Sequence, residues 1–195
     1  MVSDALLLLI DIQNDFLPGG ALAVPGAEAI ISPVNALIPH FSHIVATRDW
    51  HPEGHCSFKE REGNWPPHCI QGAFGAELSD KLLLPSYTVI LDKGSAIDTD
   101  SYSAIFDEKG QSATRLRTLI EEWGSHTLYV CGLATDYCVG QTCRDALRLG
   151  FQVVLVGDAC RGIDSKAAQH VIDTVSSHPH GKVLSHREIL ASFGA

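Results

Sequence analysis

Four residues able to do covalent and acid–base work stand just beyond short apolar runs of this 195-residue chain: Asp11, Asp49, Lys93 and Cys138. Asp11 follows Ala5 to Ile10, Asp49 follows Ile44 to Thr47, Lys93 follows Tyr87 to Leu91, and Cys138 lies in the turn after Thr127 to Cys131. A thiol can attack an electrophilic carbon. A carboxylate such as Asp11 can take its proton and return it to a leaving group, while an ammonium nearby favours the thiolate. Each residue also has an ordinary structural reading: a small buried hydrophobe for Cys138, a cap or an ion pair for Asp11 and Lys93.

A second chemistry is written just after Asp49. The segment Asp49-Trp50-His51-Pro52-Glu53-Gly54-His55 is followed by Trp65-Pro66-Pro67-His68-Cys69, so three of the ten histidines share one loop with a carboxylate. Imidazole and carboxylate ligands suit zinc, iron or manganese, and histidines separated by loop residues can converge on one ion. Cys56 and Cys69 adjoin these residues. A mixed thiolate site is one reading; packing away from the ligands is the plainer one.

The elements that must position these groups are legible from periodicity. Ala5 to Ile10, Ile44 to Thr47, Tyr87 to Leu91, Thr127 to Cys131 and Phe151 to Val156 read as strands buried on both faces, with a shorter copy at Lys182 to Leu184. Helical patterns lie between them: Ser32 to Ile38, Ser112 to Trp123 closed by Gly124, and one starting at Ser165. After Gly132, apolar Val139, Cys143, Ala146 and Leu147 predict a helix closed by Gly150, capped by Thr135 or Asp136. That places Cys138 in or near the first turn, where the helix dipole would lower its pKa. Strands alternating with helices predict an α/β fold of three layers, α/β/α, around a mainly parallel sheet of about six strands. Ligands in such sheets bind beyond the carboxyl ends of the strands. The two long irregular stretches, Trp50 to Ala76 and Gly94 to Ser103, fall there as well.

Composition narrows the partners. The chain suits one domain over residues 1–195, and an apolar fraction of 45% against 19% charged residues argues for a packed core. A net charge of -9 disfavours nucleic acid and anionic membrane surfaces. Met1-Val2-Ser3-Asp4-Ala5 lacks the basic start of a secretory signal, and no apolar run approaches a membrane span. Six cysteines are too few for a disulfide scaffold, so a reducing cytoplasm is expected.

Taken together, Asp11-Ile12-Gln13-Asn14-Asp15-Phe16, Thr47-Arg48-Asp49-Trp50-His51, Trp65 to Cys69, Lys93-Gly94, Asp100-Ser101-Tyr102-Ser103 and Gly132 to Cys138 resemble the nicotinamidase branch of the isochorismatase-like cysteine hydrolases. The segments span most of the chain in the family's order. The resemblance implies a catalytic triad of Asp11, Lys93 and Cys138, and one divalent metal on Asp49, His51, His55 and His68, with zinc ahead of iron or manganese. It implies a cis Leu133–Ala134 peptide, an oxyanion hole from the N–H groups of Ala134 and Cys138, and a pocket walled by Phe16, Trp65, Tyr102 and Leu133. The implied activity is hydrolysis of nicotinamide, and of pyrazinamide, through a cysteine thioester. The alternatives are another amidohydrolase of the superfamily, acting on a carbamoyl or ureido compound, and a non-catalytic metal- or ligand-binding protein. A homo-oligomer is left open.

Overall fold

The computed structural model describes residues 2–193, with side chains from residue 4 onward. Six strands form one sheet in the order β3-β2-β1-β4-β5-β6. They are β1 (Val2–Ile10), β2 (Phe41–Asp49), β3 (Val89–Lys93), β4 (Thr127–Leu133), β5 (Gln152–Arg161) and β6 (Gly181–Leu184). Every neighbouring pair is parallel. Helices α1 (Ile31–Leu37), α2 (Leu116–Glu122), α3 (Gly140–Arg148), α4 (Ser165–Ser177) and α5 (His186–Phe193) complete the α/β architecture. No described helix is long and apolar enough to cross a membrane.

The core follows from the continuous apolar runs. Leu6 to Ile10 of β1 are all wholly buried, as a central strand covered on both faces requires. The strand order reverses direction between β1 and β4, so a crevice opens at their carboxyl ends. Asp11 leaves β1 there, and Cys138 follows β4. The two strands approach closely at Gly132, where φ is +128° and an added Cβ would lie 2.1 Å from the Ile10 carbonyl oxygen. Only glycine tolerates both the conformation and the contact.

Several boundaries differ from the periodic reading, each for a physical reason. The helix expected from Ser112 begins only at Leu116, because the preceding residues bond elsewhere. Ala113 N–H donates to the Ile105 carbonyl at 2.9 Å, and the Thr114 hydroxyl donates to the Ala104 carbonyl at 2.8 Å. β5 runs on to Arg161 through a register shift against β4 between Val130 and Gly132. The helix after Cys131 opens as a π-helical turn, Thr135–Val139, before α3 begins. Its expected caps do other work: the Asp136 carboxylate accepts from the N–H groups of Ile163 (3.0 Å) and Asp164 (2.8 Å), tying this turn to the start of α4.

Candidate active site

Asp11, Lys93 and Cys138 meet in one buried cluster. Lys93 ends β3, and its side chain crosses beneath the strand ends with no exposure. Its ammonium lies 2.9 Å from Asp11 Oδ2 and 3.4 Å from Cys138 Sγ, donates to the Ser101 carbonyl at 2.9 Å, and pairs closely with Asp49. Asp11 is anchored from the other side, where the Thr47 hydroxyl donates to Oδ1 at 2.6 Å. Oδ2 receives no aligned hydrogen bond despite its charge contact with Lys93. The carboxylate also interacts with the Cys138 thiol.

The electrostatics differ from the helix-dipole expectation. Burial pushes the Cys138 thiol well above its ordinary range; Lys93 opposes this, and the Asp11 and Asp49 carboxylates add to the rise. The sulfur is therefore a neutral thiol at rest, not a standing thiolate. Burial also raises the Asp11 carboxyl against the pull of Lys93, with Asp49 contributing. Burial would lower the Lys93 ammonium, but Asp11 and Asp49 outweigh it and hold it charged well above the usual lysine range. For Asp49, burial favours the acid, yet Lys93 and His51 prevail and keep it ionised far below the usual range.

Asp49, His51 and His68 each offer a ligand atom within 4.8 Å of the others, all buried. The His51 Nδ1 lies 2.8 Å from the Gly94 carbonyl and the His68 Nδ1 lies 2.8 Å from the Pro66 carbonyl. A carbonyl can only accept, so each Nδ1 carries the proton and each Nε2 presents a lone pair, the arrangement metal-binding histidines use. Gly94 makes this approach feasible: at φ +62°, an added Cβ would sit 2.5 Å from the His51 ring. Burial lowers the His68 pKa, which keeps that ring neutral, whereas His51 is raised because Asp49 outweighs its desolvation. This donor set fits one divalent cation. His55 does not join Asp49 and His68; its ligand atom groups with His51 and with Asp100, a residue outside the expected set. A third grouping, Asp11, Asp49 and Cys138, is already served by the Lys93 ammonium.

Above the sulfur lies a tight pocket of about 30 Å³, lined among others by Phe16, Trp65, Tyr102, Ala134 and Cys138, with Asp49 and His68 also in its wall. Trp65 Nε1 donates to the Tyr102 hydroxyl at 2.9 Å, joining the two long loops over the cavity. Leu133, expected in the wall, does not line it; the side chain is wholly buried in the core at the end of β4. The Leu133–Ala134 peptide is cis, and the Ala134 carbonyl accepts from Tyr137 and Val139 N–H at 3.1 and 3.2 Å. Cys69 is wholly buried, which pushes its thiol far up, while Cys56 Sγ lies 3.8 Å from His55 Nε2.

Other positioning residues escape a reading by chemical type. The buried Gln13 amide clamps the backbone of Asp49, donating to its carbonyl at 2.8 Å and accepting from its N–H at 2.8 Å. Asp15 Oδ2 accepts from Cys69 N–H at 2.7 Å, beside His68, and Oδ1 accepts from Ala21 N–H at 3.1 Å. Tyr137 packs edge-on against Trp65 with ring centroids 4.9 Å apart and also lines the cavity. All three lie inside the motif segments quoted above, yet nothing in residue type alone marks them as tethers or walls.

Known proteins resemble this chain over most of its length. A nicotinamidase of Acinetobacter baylyi is 38% identical over 185 residues, covering 86% of each chain. The crystal structure of PnC1 from L. infantum in complex with nicotinate superimposes with a TM-score of 0.90 at 38% identity, covering 95% of this chain and 94% of that one. The pyrazinamidase of Pyrococcus horikoshii in complex with zinc gives a TM-score of 0.85 at 41% identity, covering 93% and 99%. The model of the isochorismatase domain matches residues 5–188, so the chain belongs to the isochorismatase family.

Proposed function

We propose that this protein is a nicotinamidase, hydrolysing nicotinamide to nicotinate and ammonia, and accepting pyrazinamide as an analogue. The observation that carries the reading is a thiol, a buried carboxylate and a buried ammonium meeting beside a small aromatic pocket and a buried Asp–His–His cluster. Relatives named nicotinamidase, at 38% identity over most of the chain, support the substrate class.

Asp11 Oδ2 takes the proton from Cys138 as the sulfur attacks the carboxamide carbon, so the thiolate forms only as it is used. Lys93 balances the charge that the sulfur and Asp11 share. The N–H groups of Ala134 and Cys138 hold the developing oxyanion. Asp11 returns the proton to the departing ammonia, leaving an acyl thioester on Cys138. It then takes a proton from water attacking that thioester, which frees nicotinate and restores the thiol. Phe16, Trp65 and Tyr102 hold the ring flat and exclude solvent. Asp49, His51 and His68 would hold a divalent cation, zinc ahead of iron or manganese, which supplies a Lewis-acid seat for the pyridine nitrogen. A small-molecule substrate and a cytoplasmic setting belong to this reading; all six cysteines are free, which suits a reducing compartment.

The test is incubation of the purified protein with nicotinamide, following nicotinate and ammonia before and after chelation. Chelation is expected to raise KM more than it lowers kcat, because orientation is lost while the nucleophile remains; chelated enzyme with unchanged kinetics rejects the orienting role. His51→Asn should lower metal content and raise KM in parallel, and unaltered metal content would remove His51 from the ligand set. Trp65→Phe keeps the aromatic face but loses the bond to Tyr102. We expect a stability loss of about 1 kcal/mol in denaturant titration and a few-fold rise in KM. A KM equal to wild type would show that this bond does not shape the pocket.

A further inference from the structure

The donor atoms around His51 fall into two groups, and only one is used by the reading above. The other joins His51 to His55 and Asp100, with one ligand atom from each within 4.8 Å of the others and all three residues buried. His51 belongs to both. Its Nδ1 is committed to the Gly94 carbonyl at 2.8 Å, so it has a single lone pair, on Nε2, to give. One lone pair serves one ion. The two groups therefore cannot be filled together without a ligand being lost.

The second group is built as a seat in its own right. The His55 ring stacks on His51 with centroids 4.1 Å apart, and its Nδ1 lies 2.8 Å from the Ser57 hydroxyl. Its Nε2 lies 3.3 Å from the Thr99 carbonyl and so carries the ring proton here; ligating a cation through Nε2 moves that proton to Nδ1, where the Ser57 hydroxyl can accept it. Asp100 Oδ1 accepts from Ser101 N–H at 2.8 Å, which fixes the carboxyl group in place. Asp11, Asp49 and Asp100 are all buried here, whereas Lys93 is the one buried Lys or Arg among the described residues. Three carboxyl groups against one ammonium leave the region short of positive charge, and a divalent cation supplies it.

We propose that His51, His55 and Asp100 form a second divalent-cation seat beside the Asp49–His51–His68 seat, and that one ion per chain is shared between them through His51. The inference rests on the reading that the histidine cluster holds a cation. It adds Asp100 as a ligand and assigns His55 to a different seat from Asp49 and His68. Occupying the second seat leaves Asp49 to Lys93 alone, so the two seats differ in how much charge they place near Cys138.

The experiment is titration of the metal-stripped full-length protein with Zn²⁺ by competition with a chelating dye, and with Co²⁺ by visible absorption. It is done for wild type, Asp49→Asn, Asp100→Asn and the double variant, with far-UV circular dichroism as the folding control. Wild type is expected to bind one ion. Asp100→Asn should bind one ion a few-fold more weakly with an altered Co²⁺ spectrum. Asp49→Asn should still bind one ion, on the order of 10- to 100-fold more weakly, through the second seat. The double variant should bind none. If Asp49→Asn does not fold, His68→Gln disables the first seat in the same way. Folded first-seat variants that bind no ion overturn the proposal, as does a double variant that binds as Asp49→Asn does. Two ions on wild type overturn the sharing of His51. Wild type that binds no ion refutes the underlying metal reading and so fails in a distinguishable way.

Discussion

Cys138→Ala is expected to lose nicotinamide hydrolysis by at least about four orders of magnitude while its metal content stays at the wild-type level. The sulfur is the group that would bond to the carboxamide carbon, and no other described cysteine can substitute for it. Cys69, Cys131, Cys143 and Cys160 are buried with thiols shifted upward. Cys56 neighbours His55, outside the residues that line the cavity. The substitution removes a small buried side chain, so the fold should survive with a modest loss of stability. Ammonia release at a substantial fraction of the wild-type rate would point to water attacking directly and would reject the thioester route.

Lys93→Met should be damaging in two separate ways. The ammonium is wholly buried and lies against Asp11, Asp49 and Cys138. Removing it leaves two carboxyl groups facing each other without a cation, and losing one partner of a buried pair costs roughly 3–5 kcal/mol. Asp49 would lose the main partner that keeps it ionised, and the site would take up protons in compensation. Catalysis should fall by two or more orders of magnitude beyond any unfolded fraction, on the order expected for loss of charge support at a proton-transfer site. Denaturant titration separates the two effects. A variant as stable as wild type would mean that Lys93 does not offset the buried carboxylates.

The sheet was readable because its strands are covered on both faces, which leaves uninterrupted apolar runs such as Leu6 to Ile10. The strand-end rule then placed Asp11, Asp49, Lys93 and Cys138 at one end, because parallel strands share a direction. Boundaries were harder where side chains rebond the backbone, as Thr114 does ahead of α2. The thiol's protonation was misjudged from local helix position, since its environment is set by burial and by Asp11 and Asp49 from other strands. Asp100 was visible only as part of a motif. Its proximity to His55 is created by the way the Gly94 to Ser103 loop folds back, which no spacing in the chain reveals.

The contact at Gly132 carries a consequence for how finely the chemistry is tuned. β1 leads to Asp11, the proposed base, and β4 to Cys138, the proposed nucleophile, and the two backbones are so close at this residue that a methyl group would sit 2.1 Å from the Ile10 carbonyl oxygen. The spacing of the reacting pair is therefore governed by a hydrogen atom standing where every other amino acid has carbon. A wedge inserted at position 132 would spread the floor of the crevice and lengthen the path a proton must travel, although it would touch neither the acid nor the sulfur.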